Sequence, residues 1–475
     1  MAAAAAAVLL AGALTAVARD DGDRPADRVA APAAPPPAST TAPPAPPPPP
    51  PASGPLLSYV VNTAPGAEGV RLGAQAVEAQ GGEVVVSWPQ VGVVVAHSAV
   101  VGFAARVRGE EGVQSAGATR TAAVVPKADS APEATPTEPG LPAEGTAPDL
   151  VAIGADRLPP GAGSRDVLVA VLDSGVEDTH PDLAPAFDAE ASAGCTDAGR
   201  LDRDRAAWLP TSSDHGTHVA GTIAAADDGQ GVVGVAPGVR LSSVKVVDEA
   251  GLIYPEYAVC GYLWAAESGA DVSNASLYVD PWQYWCPGDP DQAAAVEAVQ
   301  RAVRFATAAG VLSVAAAGND STDLAAKTSD STSPNDTVPV TRPITSACVD
   351  LPAELDGVVT VAATQDDGTK ARFSNWGLGV VDVAAPGVDV WSTTLGGSWG
   401  TKSGTSMAAP HVAGVAALLA SRLPDAPPAE LARLLEQQAT DTPCRPLAGQ
   451  PCAGTDADNA YAGEGVVDAL AAATG

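Results

Sequence analysis

Residues 167–176 read VLVAVLDSGV, a run of six apolar residues that is followed by an aspartate, a serine and a glycine. A strand that is apolar at successive positions is buried on both faces, which is typical of parallel strands in α/β proteins. Further short runs rich in apolar and small residues cover 241–246, 272–277, 311–316 and 358–362. The sequence therefore predicts an open, mostly parallel sheet of the α/β class.

Helical patterns lie between these runs. Residues 291–309 carry Val296, Val299 and Val303 along one stripe, and residues 407–420 are rich in alanine and leucine. Such segments supply the crossover helices that parallel strands require. Because ligands bind at the carboxyl ends of the strands in such sheets, the aspartate that ends the first run is a candidate functional residue.

A smaller unit precedes this domain, at residues 55–120. We expect strands at 57–61, 83–88, 92–97 and 113–116, with one helix before and one after the central strand pair. The order β-α-β-β-α-β is that of ferredoxin-like α+β domains. A unit of this size without cysteine is marginally stable alone, so we expect it to lean on a partner.

Loose segments flank the small unit. Residues 19–54 form a Pro-rich spacer that favours extended polyproline, and residues 121–148 form a linker rich in Pro, Glu, Ala and Thr. Residues 1–18 are apolar and end in Ala-Val-Ala, which predicts a signal peptide and a secreted, extracellular protein without a stable membrane span in the mature form. No basic residue precedes Arg19, so an uncleaved anchor is the alternative.

Net charge narrows the function classes. The chain has 25 Lys and Arg against 56 Asp and Glu, a formal charge of −31. Such an acidic surface repels phosphate backbones, which argues against a nucleic-acid partner.

The six cysteines favour disulfides outside the cytoplasm. They form no CxxC pair, which argues against a zinc cluster, and buried free thiols are the alternative. Cys444 with Cys452 and Cys260 with Cys286 are the expected pairs, because each closes a short loop.

Four motifs carry chemistry. They are VAVLDSGV at 169–176, DHGTHVAG at 214–221, AAAGN at 315–319 and SGTSMAAPHVAG at 403–414. Together, and in this order, they resemble the subtilisin-like serine protease (subtilase) family, from about residue 149 to residue 475. The resemblance implies a subtilisin-like three-layer domain over 149–475 and a monomeric secreted endopeptidase that acts on protein or peptide substrates with no cofactor for catalysis.

The resemblance assigns roles to four residues. Ser406 would be the nucleophile and His215 its general base, while Asp173 would hold the imidazole tautomer. Asn319 would donate its amide to the oxyanion beside the backbone N–H of Ser406. His215 and His218 could instead form a metal pair, but the glutamate of an H-E-x-x-H zinc motif is absent.

The same resemblance assigns the residues that would bind the substrate. Ser276, Leu277 and Tyr278 would pair with the extended substrate backbone, with Gly318 beside them. Tyr278 replaces a common glycine, so it would narrow the groove unless its ring turns to solvent. Asp320 resembles an acidic position at the rim of the primary specificity pocket, and we expect a large apolar side chain there, with some tolerance for a basic one.

A structural calcium ion is a further expectation. Loop 226–232 has the length of the family's calcium-binding loop, with Asp228 at a ligand position and Asp182 as a second carboxylate. Carboxylates and loop carbonyls suit a hard cation.

The small unit resembles the family's inhibitory propeptide, which would act as an intramolecular inhibitor of a self-processing zymogen. Its cleavage is expected between residues 117 and 149. Two other functions remain open: a catalytically silent binding module of the same fold, and a processing protease retained at the cell envelope by residues 2–18.

Overall fold

The computed structural model describes residues 53–124 and 147–475. The predicted signal peptide at 1–18, residues 19–52 of the spacer and residues 125–146 of the linker lie outside the described residues. Within the described ranges, no helix has the length and apolar character needed to cross a membrane.

The small domain has the element order that the sequence predicts. Its elements are β1 (Ser53–Thr63), α1 (Ala67–Ala79), β2 (Glu83–Trp88), β3 (Val93–Val100), α2 (Phe103–Val107) and β4 (Val113–Ala118). The four strands form an antiparallel sheet in the order β2-β3-β1-β4. Val61, Val77 and Phe103 are fully buried in a core of its own. The arrangement is consistent with the ferredoxin-like expectation.

The large domain contains a mostly parallel sheet, as predicted. Its strands are β5 (Leu168–Asp173), β6 (Ala193–Asp197), β7 (Arg200–Asp202), β8 (Arg240–Lys245), β9 (Val272–Ala275), β10 (Leu312–Ala316), β11 (Ser329–Asp330), β12 (Arg342–Pro343), β13 (Val358–Thr364), β14 (Val383–Pro386), β15 (Val390–Thr394) and β16 (Ser398–Lys402). Eight of them lie in the order β14-β13-β10-β9-β5-β8-β6-β7, and the pair β6 and β7 is antiparallel. The other pairs in this sheet are parallel.

Helices cover both faces of this sheet. They are α3 (Pro148–Ala152), α4 (Arg205–Trp208), α5 (His215–Ala224), α6 (Pro255–Glu267), α7 (Pro290–Ala308), α8 (Thr405–Arg422), α9 (Pro428–Gln438) and α10 (Ala469–Thr474). Successive side chains of β5 point to opposite faces, as the period of a strand requires. Val169 and Val171 pack in one core with residues of α5 and α8, whereas Leu168 and Leu172 pack in a second core with residues of α6 and α7. The domain therefore has the predicted three layers.

The small domain packs against α6 and α7. Val60 and Val95, from β1 and β3, join the core that contains these two helices. The side-chain amide of Asn62 donates to the carbonyl oxygen of Ala294 at 2.8 Å, and Arg301 donates to the carbonyl oxygen of Thr63 at 2.6 Å. Apolar burial and hydrogen bonds thus hold the two domains together.

All six cysteines are in disulfides, which excludes the free-thiol alternative. Cys444 bonds to Cys452, as predicted. The predicted pair of Cys260 and Cys286 is wrong, because Cys260 bonds to Cys195 and Cys286 bonds to Cys348. Helix α6 packs beside β6, which brings the Cα atoms of Cys195 and Cys260 to 5.8 Å although 65 positions separate them. Proximity in the fold decides this pairing rather than loop length.

Candidate active site

The predicted catalytic residues lie around one cleft of about 500 Å³. Asp173 is the last residue of β5, and Asn319 follows the end of β10. His215 is the first residue of α5, and Ser406 is in the first turn of α8. Parallel strands end at the same edge of a sheet, so side chains that are far apart in sequence meet there.

Asp173 and His215 form a close pair. Nδ1 of His215 lies 2.9 Å from each carboxylate oxygen of Asp173, whose side chain is 1% exposed. Burial alone would lower the pKa of His215, but the carboxylate of Asp173 outweighs it and raises that pKa above its usual value. The backbone N–H of Ser174 donates to the same carboxylate at 2.7 Å, which fixes its orientation. The pair presents Nε2 of the imidazole as a base.

Ser406 lines the same cleft as this pair. Its hydroxyl donates to the carbonyl oxygen of Ser276 at 3.1 Å, and the hydroxyl of Ser276 donates back to the carbonyl oxygen of Ser406 at 2.9 Å. The unpaired N–H groups of the first helical turn favour negative charge beside Ser406. A Cβ atom at Gly404 would lie 3.6 Å from the backbone nitrogen of Ser406, so the glycine leaves space beside that donor.

Asn319 is oriented by a residue that sequence reasoning missed. Its Oδ1 accepts hydrogen bonds from the backbone N–H of Thr405 at 2.8 Å and from the hydroxyl of Thr405 at 3.0 Å. The same hydroxyl accepts from the N–H of Gly318 at 3.1 Å. Because both donors bind Oδ1, the NH₂ group is the end of the amide left for a ligand in the cleft. The sequence signal that could have identified this residue is its position: Thr405 lies directly before the serine of the fourth motif.

The predicted substrate segment also lines the cleft. Ser276, Leu277, Tyr278 and Gly318 are all on its wall. Strand β9 ends at Ala275, two residues earlier than predicted, so the segment that follows is not part of the sheet ladder. The Tyr278 hydroxyl accepts a hydrogen bond from Asn335 at 3.0 Å. The ring is therefore held in the cleft wall instead of turning out to solvent.

Two further buried carboxylates on the cleft wall were not predicted. Asp280 is buried, and burial raises its pKa to about 7. Its carboxylate accepts hydrogen bonds from Asn335 and from the backbone of Ile253. The second is Asp350, which is 1% exposed. Asp320, which the sequence placed at the rim, is exposed and accepts a hydrogen bond from Gln283.

His218 has a structural role. Its Nε2 lies 3.1 Å from the carbonyl oxygen of Val390 and 3.2 Å from that of Gly400. Burial lowers its pKa to about 4, so the ring is neutral at ordinary pH. With Nε2 directed at these carbonyls, His218 does not pair with His215 around a metal ion.

The residues predicted for calcium make hydrogen bonds to protein groups, and the calcium ion itself stays a prediction. Oδ2 of Asp182 accepts N–H donors from Val232 at 2.9 Å and from the Trp399 indole at 2.7 Å, so both its lone pairs are used. Asp228 is exposed, and its Oδ1 accepts from the N–H of Gln230. Across residues 53–124 and 147–475, no group of three or more His, Cys, Asp and Glu side chains is arranged to hold a metal ion. The N–H groups of Val232 and Trp399 stabilise the carboxylate charge of Asp182, which is also what a bound cation would do.

Comparisons with known proteins agree on one family. The model of the Subtilase family matches residues 164–464. Subtilisin E from Bacillus subtilis (strain 168) is 35% identical over 287 residues, which cover 59% of this chain and 62% of that protein. Subtilisin DY from Bacillus licheniformis is 33% identical over 322 residues, which cover 68% of this chain and 96% of that protein.

One solved structure shows the same fold. It is the epidermin leader peptide processing serine protease of Staphylococcus aureus, with a TM-score of 0.66 and 22% identity over 89% of this chain and 100% of that chain.

Proposed function

The chain belongs to the subtilase family, and on that basis we propose that it is a secreted serine endopeptidase that hydrolyses peptide bonds and is made as a self-processing zymogen. One observation carries the proposal. The imidazole of His215 is held by Asp173 at 2.9 Å on the same cleft as Ser406 and Asn319. A base, a hydroxyl and an amide donor on one cleft are the groups that acyl transfer requires.

The reaction follows from these groups. Ser406 leaves its hydrogen bond to Ser276 by rotation about Cα–Cβ, and His215 takes the hydroxyl proton as the oxygen attacks the peptide carbonyl. The oxyanion that forms accepts hydrogen bonds from the N–H of Ser406 and the amide of Asn319. The His215 imidazolium, stabilised by Asp173, then protonates the leaving amine. Water attacks the acyl-enzyme by the same steps and frees Ser406.

Substrate binding uses the segment after β9. The backbone of Ser276, Leu277 and Tyr278 lies on the cleft wall and outside the sheet ladder. An extended peptide can pair with such a segment by strand addition. Substrates are therefore proteins or peptides that offer an extended stretch of backbone.

The small domain acts as the propeptide. It covers α6 and α7, and its Arg120 inserts into the large domain beside Tyr254 and Glu256. A domain held this tightly can guide the folding of a parallel sheet whose contacts are distant in sequence. The bond cut in maturation lies between residues 117 and 149.

Labelling with a fluorophosphonate tests the chemistry. Ser406 reacts with it only if His215 activates the hydroxyl, so we expect labelling of the natural chain and none of the Ser406→Ala variant. Labelling that persists in the variant, or none of the natural chain, would favour a silent binding module.

Maturation is tested in the same variant. Ser406→Ala is expected to keep residues 55–120 covalently attached, while the natural chain loses them. Normal processing of the variant would mean that another protease makes the cut. N-terminal sequencing of the secreted form separates a free enzyme from a processing protease retained at the cell envelope by residues 2–18.

A further inference from the structure

Asp350 lies on the wall of the active-site cleft, in the part where a substrate side chain would enter. Ser276, Gly318 and Ser406 line the same cleft, and Ser276 is hydrogen-bonded to Ser406. A Cβ atom at Gly318 would lie 3.7 Å from Oδ2 of Asp350. The Asp350 carboxylate therefore lies next to Gly318, the residue that precedes Asn319.

This carboxylate has no cation of its own. Asp350 is 1% exposed, and its Oδ1 has no hydrogen-bond partner among the described residues. Lys327, the cation whose charge acts on Asp350, is paired with Oε1 of Glu354 at 2.5 Å. The other oxygen of Glu354 accepts the backbone N–H of Asp350 at 2.7 Å. The charge of Lys327 is thus already balanced by Glu354.

The surroundings of Asp350 are otherwise acidic or neutral. Burial is the main reason that its pKa is raised well above the usual value, and the carboxylates of Glu354 and Asp320 raise it further against the opposing charge of Lys327. The ring of Tyr284 contributes no counter-charge. A buried carboxylate without a cation costs several kcal/mol, because burial disfavours its charged form.

We propose that Asp350 is the specificity residue for the substrate side chain directly before the scissile bond, and that it selects lysine or arginine there. This inference rests on the proposed protease function. Ser406 attacks the carbonyl of that residue, so its side chain starts beside Ser406 and enters the space between Gly318 and the segment that begins at Ser276. A guanidinium or ammonium there would meet the unpartnered Oδ1.

Asp280, another buried carboxylate of the cleft, does not compete for this role. Its two oxygens already accept hydrogen bonds from Asn335 and from Ile253. A cation would have to displace these donors. The preference expected from sequence, a large apolar side chain with some tolerance for a basic one, is therefore reversed: the basic side chain comes first.

The test uses the active protein and peptides that differ only in the residue before the cleaved bond, either Arg, Lys, Gln, Leu or Phe. A desolvated charge pair discriminates by about 30-fold to 1000-fold, so kcat/KM for Arg and Lys should exceed that for Leu by such a factor. In Asp350→Asn, kcat/KM for Arg should fall by a similar factor, while that for Leu stays within about threefold. Asp356→Asn is the matched control, since Asp356 pairs with Arg304 at the surface and its side chain is 84% exposed.

Two measurements keep the test independent of whether the variant folds. The cleavage profile of the natural chain, and competition by benzamidine, which carries an aromatic amidinium, both use the unaltered cleft. Benzamidine should inhibit cleavage of the Leu peptide, and uncharged benzamide should not. Equal or better cleavage after Leu by the natural chain, or an Arg preference retained in Asp350→Asn, overturns the inference. A protein that reacts with no fluorophosphonate and cleaves no peptide refutes the protease function itself, which is a different result from fluorophosphonate labelling without an Arg preference.

Discussion

Replacing Arg120 by methionine should loosen the small domain strongly. Nη2 of Arg120 lies 2.6 Å from Oε1 of Glu256, and the two side chains are only 8% and 0% exposed. The guanidinium also lies 3.6 Å from the ring centroid of Tyr254. Removing one partner of a buried ion pair leaves the other charge uncompensated, which costs about 3–5 kcal/mol. The equilibrium for release of the small domain should then shift by about 150-fold to 5000-fold.

Hydrogen exchange of the Ser406→Ala chain measures this shift, because the small domain stays attached in that background. Amides such as Thr119, which donates to the carbonyl oxygen of Ser58 at 2.9 Å, should exchange faster in Arg120→Met by the same factor. Adding Glu256→Leu should restore most of the protection, because the orphaned carboxylate is gone. Arg71→Met, which removes an exposed ion pair of the small domain, is the control without effect. Less than a tenfold change in Arg120→Met, or no recovery in the double variant, would refute the reasoning.

Three other predictions concern the large domain. Asn319→Ala should lower kcat by about 100-fold to 1000-fold with little change in KM, a magnitude known for such a donor in a subtilisin and checked by steady-state peptide kinetics. Cleavage should be lost as pH falls through the raised pKa of His215, because only the neutral imidazole accepts a proton. Asp173→Asn should move this acidic limb of the kcat/KM profile to lower pH, because it removes the carboxylate that raises the pKa, and a limb that stays in place would contradict the assignment. Trp399→Phe should lower the free energy of unfolding, measured by urea titration, by about 1.5–3 kcal/mol, because Asp182 loses a hydrogen-bond donor. A calcium chelator should leave the melting temperature of the natural chain unchanged.

The sequence predicted the central sheet well for a physical reason. Strand β5 is buried on both faces, so both sets of alternating positions must be apolar or small, and the run is visible in one dimension. The observed bounds of β5, Leu168–Asp173, differ by one residue from the predicted run. Residues of short motifs that end or follow such strands lie at the carboxyl edge of the sheet, so the location of their side chains can be predicted. The positions of Asp173 and Asn319 could be predicted for this reason.

The two disulfides that join distant segments could not be predicted in the same way. Loop length favours Cys286 as the partner of Cys260, but the partner depends on which strand α6 covers. The orientation of Asn319 by Thr405 also depends on a contact between β10 and α8, whose residues are 86 positions apart. Both features arise from the packing of distant elements.

The same limit applies to the buried acidic residues of the large domain, and it explains why specificity is harder to predict than catalysis. Glu256 is paired with the cation Arg120, and Asp280 accepts hydrogen bonds at both oxygens from Asn335 and a backbone N–H. Asp350 is paired with no cation among the described residues, and its Oδ1 has no hydrogen-bond partner. All three are buried carboxylates of similar intrinsic chemistry. The role of each carboxylate depends on whether a hydrogen-bond donor or a cation from another segment already binds it. Glu256, paired with a cation, attaches the small domain, and Asp280, bound by an amide, supports the cleft wall. Only Asp350 still gains free energy from a cation that a substrate brings.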